Sequence, residues 1–196
     1  MNSPMLLNAT FFFVVYALLA SRLPSARASN VMDTDGNPLK SGLVYYILPV
    51  DTGSGGGATL GAGKISNDTC SIDLVQAADD SSTGLPVRIS DVGYNYHVML
   101  NYPVTMQFVG NSIPSCVPSG AWWTRDGTYV YVSESSSLFS FGFVDLNTHT
   151  YYITPNDIDM CITSIDKNLL VSTSGKWEVK FKRDYSNSAS DTWSIV

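Results

Sequence analysis

VMDTDGNPLKSGLVYYI, residues 31–47, contains two local decisions from which the rest of the chain can be read. The first is a turn. Asp33, Asp35 and Asn37 bring short acidic or amide side chains, Gly36 a backbone without Cβ clashes and Pro38 a fixed φ, which together favour a tight reversal after an extended arrival. The second is a strand. Leu43 to Leu48 is a run of aliphatic and aromatic residues that follows the turn at once. An extended arrival, a tight turn and a strand make an antiparallel start.

Residues 1–28 precede this start and do not read as part of the folded body. LLNATFFFVVYALLA is an apolar run, followed by Arg22, Arg27 and the small-x-small signal Ala26-Arg27-Ala28, the pattern of a secretory signal peptide cleaved after Ala28. The uninterrupted apolar part, Ala9 to Ala20, is too short to span a bilayer, so the mature chain, residues 29–196, is expected to carry no membrane anchor. That length suits one domain with a proper core, expected as a monomer. The net charge is −6 and includes Arg22 and Arg27, so the mature chain is more acidic still. With no Lys/Arg cluster to follow a phosphate backbone, nucleic acid is excluded as a partner.

Only 14% of residues are charged, whereas Gly, Ser, Thr and aromatics are plentiful, as expected of many short strands joined by turns. Strand patterns recur at Cys70–Gln76, Gly84–Ser90, Val98–Leu100, Val104–Phe108, Tyr129–Ser133, Leu138–Asp145, Thr150–Thr154, Leu169–Ser172 and Trp177–Lys182. Val98–Leu100 and Val104–Phe108 read as a pair about Asn101-Tyr102-Pro103. Altogether about a dozen evenly spaced strands imply a closed or layered all-β body. No internal repeat is evident, and residues 185–192, rich in Ser and Asn, read as the start of a loose tail.

Three chemical motifs fail on inspection. Asp51-Thr52-Gly53-Ser54 after a strand matches an aspartic-protease active site, but that chemistry needs two carboxylates sharing a proton, and the chain has no second copy. The Gly53–Gly63 stretch is no phosphate loop, because Ile65 follows Lys64 where Ser or Thr is needed. Asp33-Thr34-Asp35 is no calcium loop, since Pro38 occupies the sharp-turn glycine position and Val44 that of the bidentate Glu. His97 and His149 are the only imidazoles, and Asp157 and Asp159 form an isolated loop pair. No enzyme activity, cofactor or metal is therefore expected. Asn67-Asp68-Thr69 is an N-glycosylation sequon, and the odd cysteine count, Cys70, Cys116 and Cys161, is simplest as one bridge and one thiol.

Val31, Asp33, Asp35, Gly36, Asn37, Leu39, Tyr45 and Ile47 occur at the spacing of the plant Kunitz signature, of soybean-trypsin-inhibitor type, and the chain resembles that family. The resemblance implies a β-trefoil of three related units and a secreted inhibitor of a serine-type endopeptidase, acting in defence and delivered to the apoplast or vacuole. It implies a Cys70–Cys116 bridge bracing the binding loop. Thr154-Pro155 stands where a second bridge would begin, which leaves Cys161 as the thiol.

From Cys70 to Phe108 the spacing matches without a gap. The resemblance then places the protease-binding loop on Ser90, Asp91, Val92, Gly93, Tyr94, Asn95, Tyr96 and His97, with Tyr94 at the primary specificity position. A loop held extended before contact loses little entropy on docking. An apolar protease pocket prefers an aromatic and an acidic one a Lys or Arg. No Lys or Arg occurs from Ser90 to Val98, and Arg88 falls in the preceding strand, so a chymotrypsin-like preference is expected over a trypsin-like one. Two departures stand out. Ser41 replaces the Asn that supports the loop in the family, offering fewer bonds, and Gly93 loosens the backbone beside Tyr94. They keep open a non-inhibitory storage or defence binding protein, or an inhibitor of a cysteine protease or amylase.

Overall fold

A computed structural model describes residues 29–66, 70–111, 113–117, 120–156 and 160–186. Residues 1–28, expected to be a signal peptide, Asn67, Asp157, Asp159 and residues 187–196 lie outside the described residues. Among those described there is no helix, and twelve strands form: β1 Val44–Pro49, β2 Ala58–Gly61, β3 Asp73–Gln76, β4 Val87–Asp91, β5 Val104–Phe108, β6 Trp122–Asp126, β7 Tyr129–Ser133, β8 Phe139–Asp145, β9 Thr150–Pro155, β10 Cys161–Ile165, β11 Asn168–Ser172 and β12 Val179–Arg183.

Every strand pair is antiparallel, and the pairings close on themselves. β1 pairs β4, β4 pairs β5, β5 pairs β8, β8 pairs β9, β9 pairs β12, and β12 returns to β1. This ring leaves no free edge among its members. The remaining strands are three hairpins, β2–β3, β6–β7 and β10–β11, which meet pairwise through Asp73↔Tyr131, Leu170↔Tyr129 and Asn168↔Val75. A ring of six strands capped by three hairpins is the β-trefoil. The threefold arrangement lies in these pairings, which explains why the sequence showed no repeat.

Period-2 alternation drives the inner face. Val87 and Ile89 in β4, Val104, Met106 and Phe108 in β5, and Val130 and Val132 in β7 are buried while their neighbours are less so. Aromatic rings fill the centre. Trp123 packs 5.5 Å from Phe108 and 6.2 Å from Phe139, and Phe181 lies 4.9 Å from Phe141 and 5.8 Å from Tyr151, ring centre to ring centre.

The Asp51–Gly57 stretch is structural. A side chain at Gly57 would lie 2.1 Å from the Thr83 carbonyl oxygen, so only glycine lets these two backbones meet. Ala58–Gly61 continues from there as β2. Asp51 is exposed, as a turn carboxylate rather than a catalytic one.

One strand pairing differs from expectation. Val98–Leu100 does not pair with β5, which instead runs against β4 in register from Val87↔Phe108 to Asp91↔Val104. Its place is against the N-terminal segment: Val31 N donates to Val98 O, Val98 N to Leu39 O and Leu100 N to Ser29 O. Val98 and Leu100 are buried by that contact, a long-range gain that local periodicity cannot reveal. The stretch from residue 185, expected to be loose, begins tied down. The Tyr185 hydroxyl donates to Asp35 Oδ2 at 3.0 Å, and Ser186 N to Asp184 Oδ1 at 2.9 Å.

Candidate functional site

The turn at Asp33–Asn37 sets the course of the segment that reaches the loop. Asp33 is buried, and its Oδ1 accepts from Asp35 N at 3.0 Å and Asn37 N at 2.8 Å. Gly36, at φ 79°, closes the reversal. Two phenols of the barrel then hold the segment in place: Tyr151 Oη accepts from Met32 N and Tyr45 Oη from Lys40 N, each at 2.8 Å. Burial pushes Tyr45 up to about 12, only partly offset by the Lys40 N–H, so its phenol stays neutral and apolar-compatible across the ordinary pH range. The signature residues thereby lay Lys40 and Ser41 alongside the loop.

Ser41 fastens both ends of that loop. Its Oγ accepts from Asp91 N at 2.9 Å, and its N donates to Tyr96 O at 2.9 Å. Lys40 and His97 form a bridge beside it, with Lys40 Nζ 5.4 Å from the centre of the Tyr96 ring. Val92 N donates to Pro103 O. The Ser41 side chain supplies one of these bonds; the other comes from its backbone N–H, which any residue there but proline would offer.

Between these anchors the chain turns outward. Ser90 and Asp91 are the last residues of β4; Val92, Gly93, Tyr94 and Asn95 form the tip; Tyr96 and His97 return. Tyr94 is 99% exposed, the most prominent apolar side chain on the described surface. With Asn95 and Tyr96 it lines one side of a cleft of about 690 Å³ whose other residues are Ser41, Gly42, Ser90 and Asp91, so the tip stands off the body.

The backbone is not extended throughout, contrary to expectation. Tyr94 has φ 60°, in the left-handed region. The cause is Asp91, whose Oδ1 accepts from Gly93 N at 2.7 Å, Asn95 N at 3.2 Å and Asn95 Nδ2 at 3.1 Å, closing a turn around Tyr94. Gly93, expected to loosen the tip, is one of the bonded groups. The sequence places Asp91 in the loop without revealing this role. The available signal was Asp91 in phase with Val87 and Ile89, a carboxylate on the inward face.

Arg88 lies within β4 opposite Gln107, away from the tip. Cys70 and Cys116 are bridged, with Cα atoms 5.8 Å apart. The bridge does not brace the loop base, however. Cys116 follows the Phe108 end of β5, whereas the loop joins the Asp91 and Val104 ends. Cys161 is a half-buried thiol outside the bridge, at the start of β10.

Comparison with known proteins bears on this geometry. The legume Kunitz family model, described as trypsin and protease inhibitor, matches residues 31–139. The chain belongs to the legume Kunitz family. A trypsin inhibitor of Bauhinia variegata is 37% identical over 94 residues, 47% of this chain and 51% of that protein. A trypsin inhibitor of Erythrina variegata is 32% identical over 134 residues, 63% of this chain and 73% of that one. The chain spans about half the length of the first curated relatives it matches. Among solved structures, soybean trypsin inhibitor superposes with a TM-score of 0.68 at 22% identity, over 80% of this chain and 100% of that one. A water-soluble chlorophyll protein of Brassica oleracea does so at 0.66 and 22%, over 80% and 99%. These likenesses show the β-trefoil. Likeness of fold leaves the task open, so the loop has to carry the functional argument.

Proposed function

We propose that this Kunitz-family chain is a secreted inhibitor of a serine endopeptidase, not an enzyme, and that it grips its target through residues 90–97. The observation that carries this reading is Tyr94, 99% exposed at the tip of a loop whose two ends are both fixed to Ser41. An aromatic presented on a restrained loop loses little freedom on docking and fills an apolar pocket. Relatives named as trypsin inhibitors support the protease class, and a soybean inhibitor of the same fold is known in complex with porcine trypsin. With Tyr94 rather than Lys or Arg at the tip, the preference is chymotrypsin-like. The mature protein, residues 29–196, acts as a monomer in apoplast or vacuole, glycosylated at Asn67.

The rival is a non-inhibitory binding protein, and the left-handed backbone at Tyr94 is what favours it, since a protease cleft takes a substrate strand extended. Tight-binding titrations against chymotrypsin and trypsin separate the two. Inhibition of chymotrypsin at nanomolar levels with weaker action on trypsin is expected; inhibition of neither enzyme at micromolar levels would leave the rival standing.

A further inference from the structure

The three hairpins are tied to the ring in one repeated way. Two residues before β4, β8 and β12, the backbone N–H of Leu85, Ser137 and Trp177 donates to the carbonyl of Ala58, Trp123 and Ile162 respectively. A leucine and a serine serve the first two units, so the fold itself does not call for an indole in the third. Trp177 is nevertheless only 5% exposed, and its Nε1 has no hydrogen-bond partner among the described residues. Burying an N–H without an acceptor is unfavourable, and such groups are rare. Trp123 Nε1 is unpartnered too, but its ring is packed between Phe108 and Phe139 in the core. Trp177 instead lines a cleft of about 470 Å³, the size of a small-ligand site.

Stretches far apart in sequence build that cleft. Gln76, Thr163 and Trp177 are its buried lining, and Asp51, Asp166 and Glu178 are exposed at its rim. Gln76 is held firmly: its N donates to Lys167 O at 2.7 Å, its Oε1 accepts from Ser164 Oγ at 2.8 Å, and its Nε2 lies 3.4 Å from Ser54 Oγ. Two lysines line the cleft, but both ammonium groups are engaged. Lys167 Nζ donates to Ala78 O at 2.8 Å, and Lys176 Nζ sits 3.9 Å from the centre of the Tyr152 ring. This set selects a ligand class. Three carboxylates oppose an anion. The indole N–H needs an acceptor, which a simple ammonium lacks. A sugar hydroxyl both donates and accepts, so a polyol can accept the Trp177 proton with one oxygen and give protons to Asp51, Glu178 or the Ser164 and Thr163 hydroxyls with others. We infer that this cleft binds a neutral hexose unit, free or at the end of a glycan, with Trp177 Nε1 as its buried donor. The cleft shares no residue with the loop 90–97 or with Lys40–Gly42, so the inference goes beyond the inhibitor reading and stands without it.

The test titrates the full mature chain, isotope-labelled, with glucose, galactose, mannose and N-acetylglucosamine, and with oligosaccharides ending in each, up to about 10 mM. The indole N–H resonances are followed. The Trp177 resonance is expected to move with at least one sugar at a dissociation constant of about 1 mM or tighter, while that of Trp123, shut in the core, stays in place. Movement with an oligosaccharide alone assigns the cleft to a glycan end; equal movement with the monosaccharide assigns it to the free sugar. Trp177→Phe keeps a ring but removes the donor, and binding read by saturation transfer to the sugar should weaken about tenfold, as for one hydrogen bond. Should that variant fail to fold, Trp177→Leu, with the residue that the first unit carries at Leu85, is expected to show the same loss. A Trp177 resonance unmoved by every sugar, or binding that loss of the indole leaves unchanged, would overturn the site. Movement with free alanine but with no sugar would overturn the ligand class. Chymotrypsin inhibition, measured with and without the sugar, is expected to be the same; its absence altogether counts against the loop and leaves the cleft untouched.

Discussion

Replacing Tyr94 by alanine removes the group on which the inhibitor reading turns while leaving the body untouched. At 99% exposure the phenol ring contributes nothing to the core, and alanine carries the same Cβ into the left-handed backbone, so stability should change by less than about 0.5 kcal/mol. Binding is another matter. Burying an aromatic side chain removes about 150–250 Å² from water, worth about 4–6 kcal/mol at ~25 cal/mol/Å². Ordering of the ring and imperfect packing reduce this, and hot-spot truncations of about 3 kcal/mol are a fair expectation, a roughly 150-fold rise in inhibition constant. Tight-binding inhibition of chymotrypsin by both proteins, with unfolding curves recorded alongside, reads both quantities. An inhibition constant unchanged within about threefold, with the fold intact, would place the site elsewhere on the molecule.

Two further outcomes follow from the scaffold. The Cys70–Cys116 bridge closes a 46-residue separation, so Cys116→Ala should cost about 4 kcal/mol by the chain-entropy estimate, measurable by denaturant unfolding. Because the bridge leaves from the opposite end of β5, inhibition by the folded fraction should persist. Burial raises Tyr45 to about 12 from an ordinary 10, so the folded state holds this proton more tightly than the unfolded chain. Its stabilising contribution is full below pH 10 and is lost between about pH 10 and 12. Denaturant unfolding across that window should show the fall, and Tyr45→Phe should flatten part of it, Tyr151 being raised too.

The sequence revealed the local features and hid the long-range ones. Asp33, Gly36 and Asn37 announced their turn because a carboxylate two and four residues from its own N–H donors is a local device. Tyr129–Ser133 was read to its ends because its alternation is complete. Glycine or mixed polarity masks the period of Ala58–Gly61, Trp122–Asp126 and Cys161–Ile165, and only pairing partners make them strands. Local periodicity points Val98–Leu100 to the wrong neighbour for the same reason: its partners are Ser29, Val31 and Leu39, over fifty residues earlier. At the loop, the family resemblance points to residues 90–97, and the exposed Tyr94 lies within them. The turn at Tyr94 was not legible, since it depends on which face of β4 Asp91 occupies.

The central claim is that residues 90–97, held by Ser41, are the surface a serine protease grips. Amide-exchange footprinting of the chain mixed with chymotrypsin tests it most directly. The expected result is slowed exchange confined to residues 90–97 and the adjoining Lys40–Gly42, with the three hairpins unaffected. Protection mapped to the hairpins instead, with the loop exchanging as in the free chain, would contradict it.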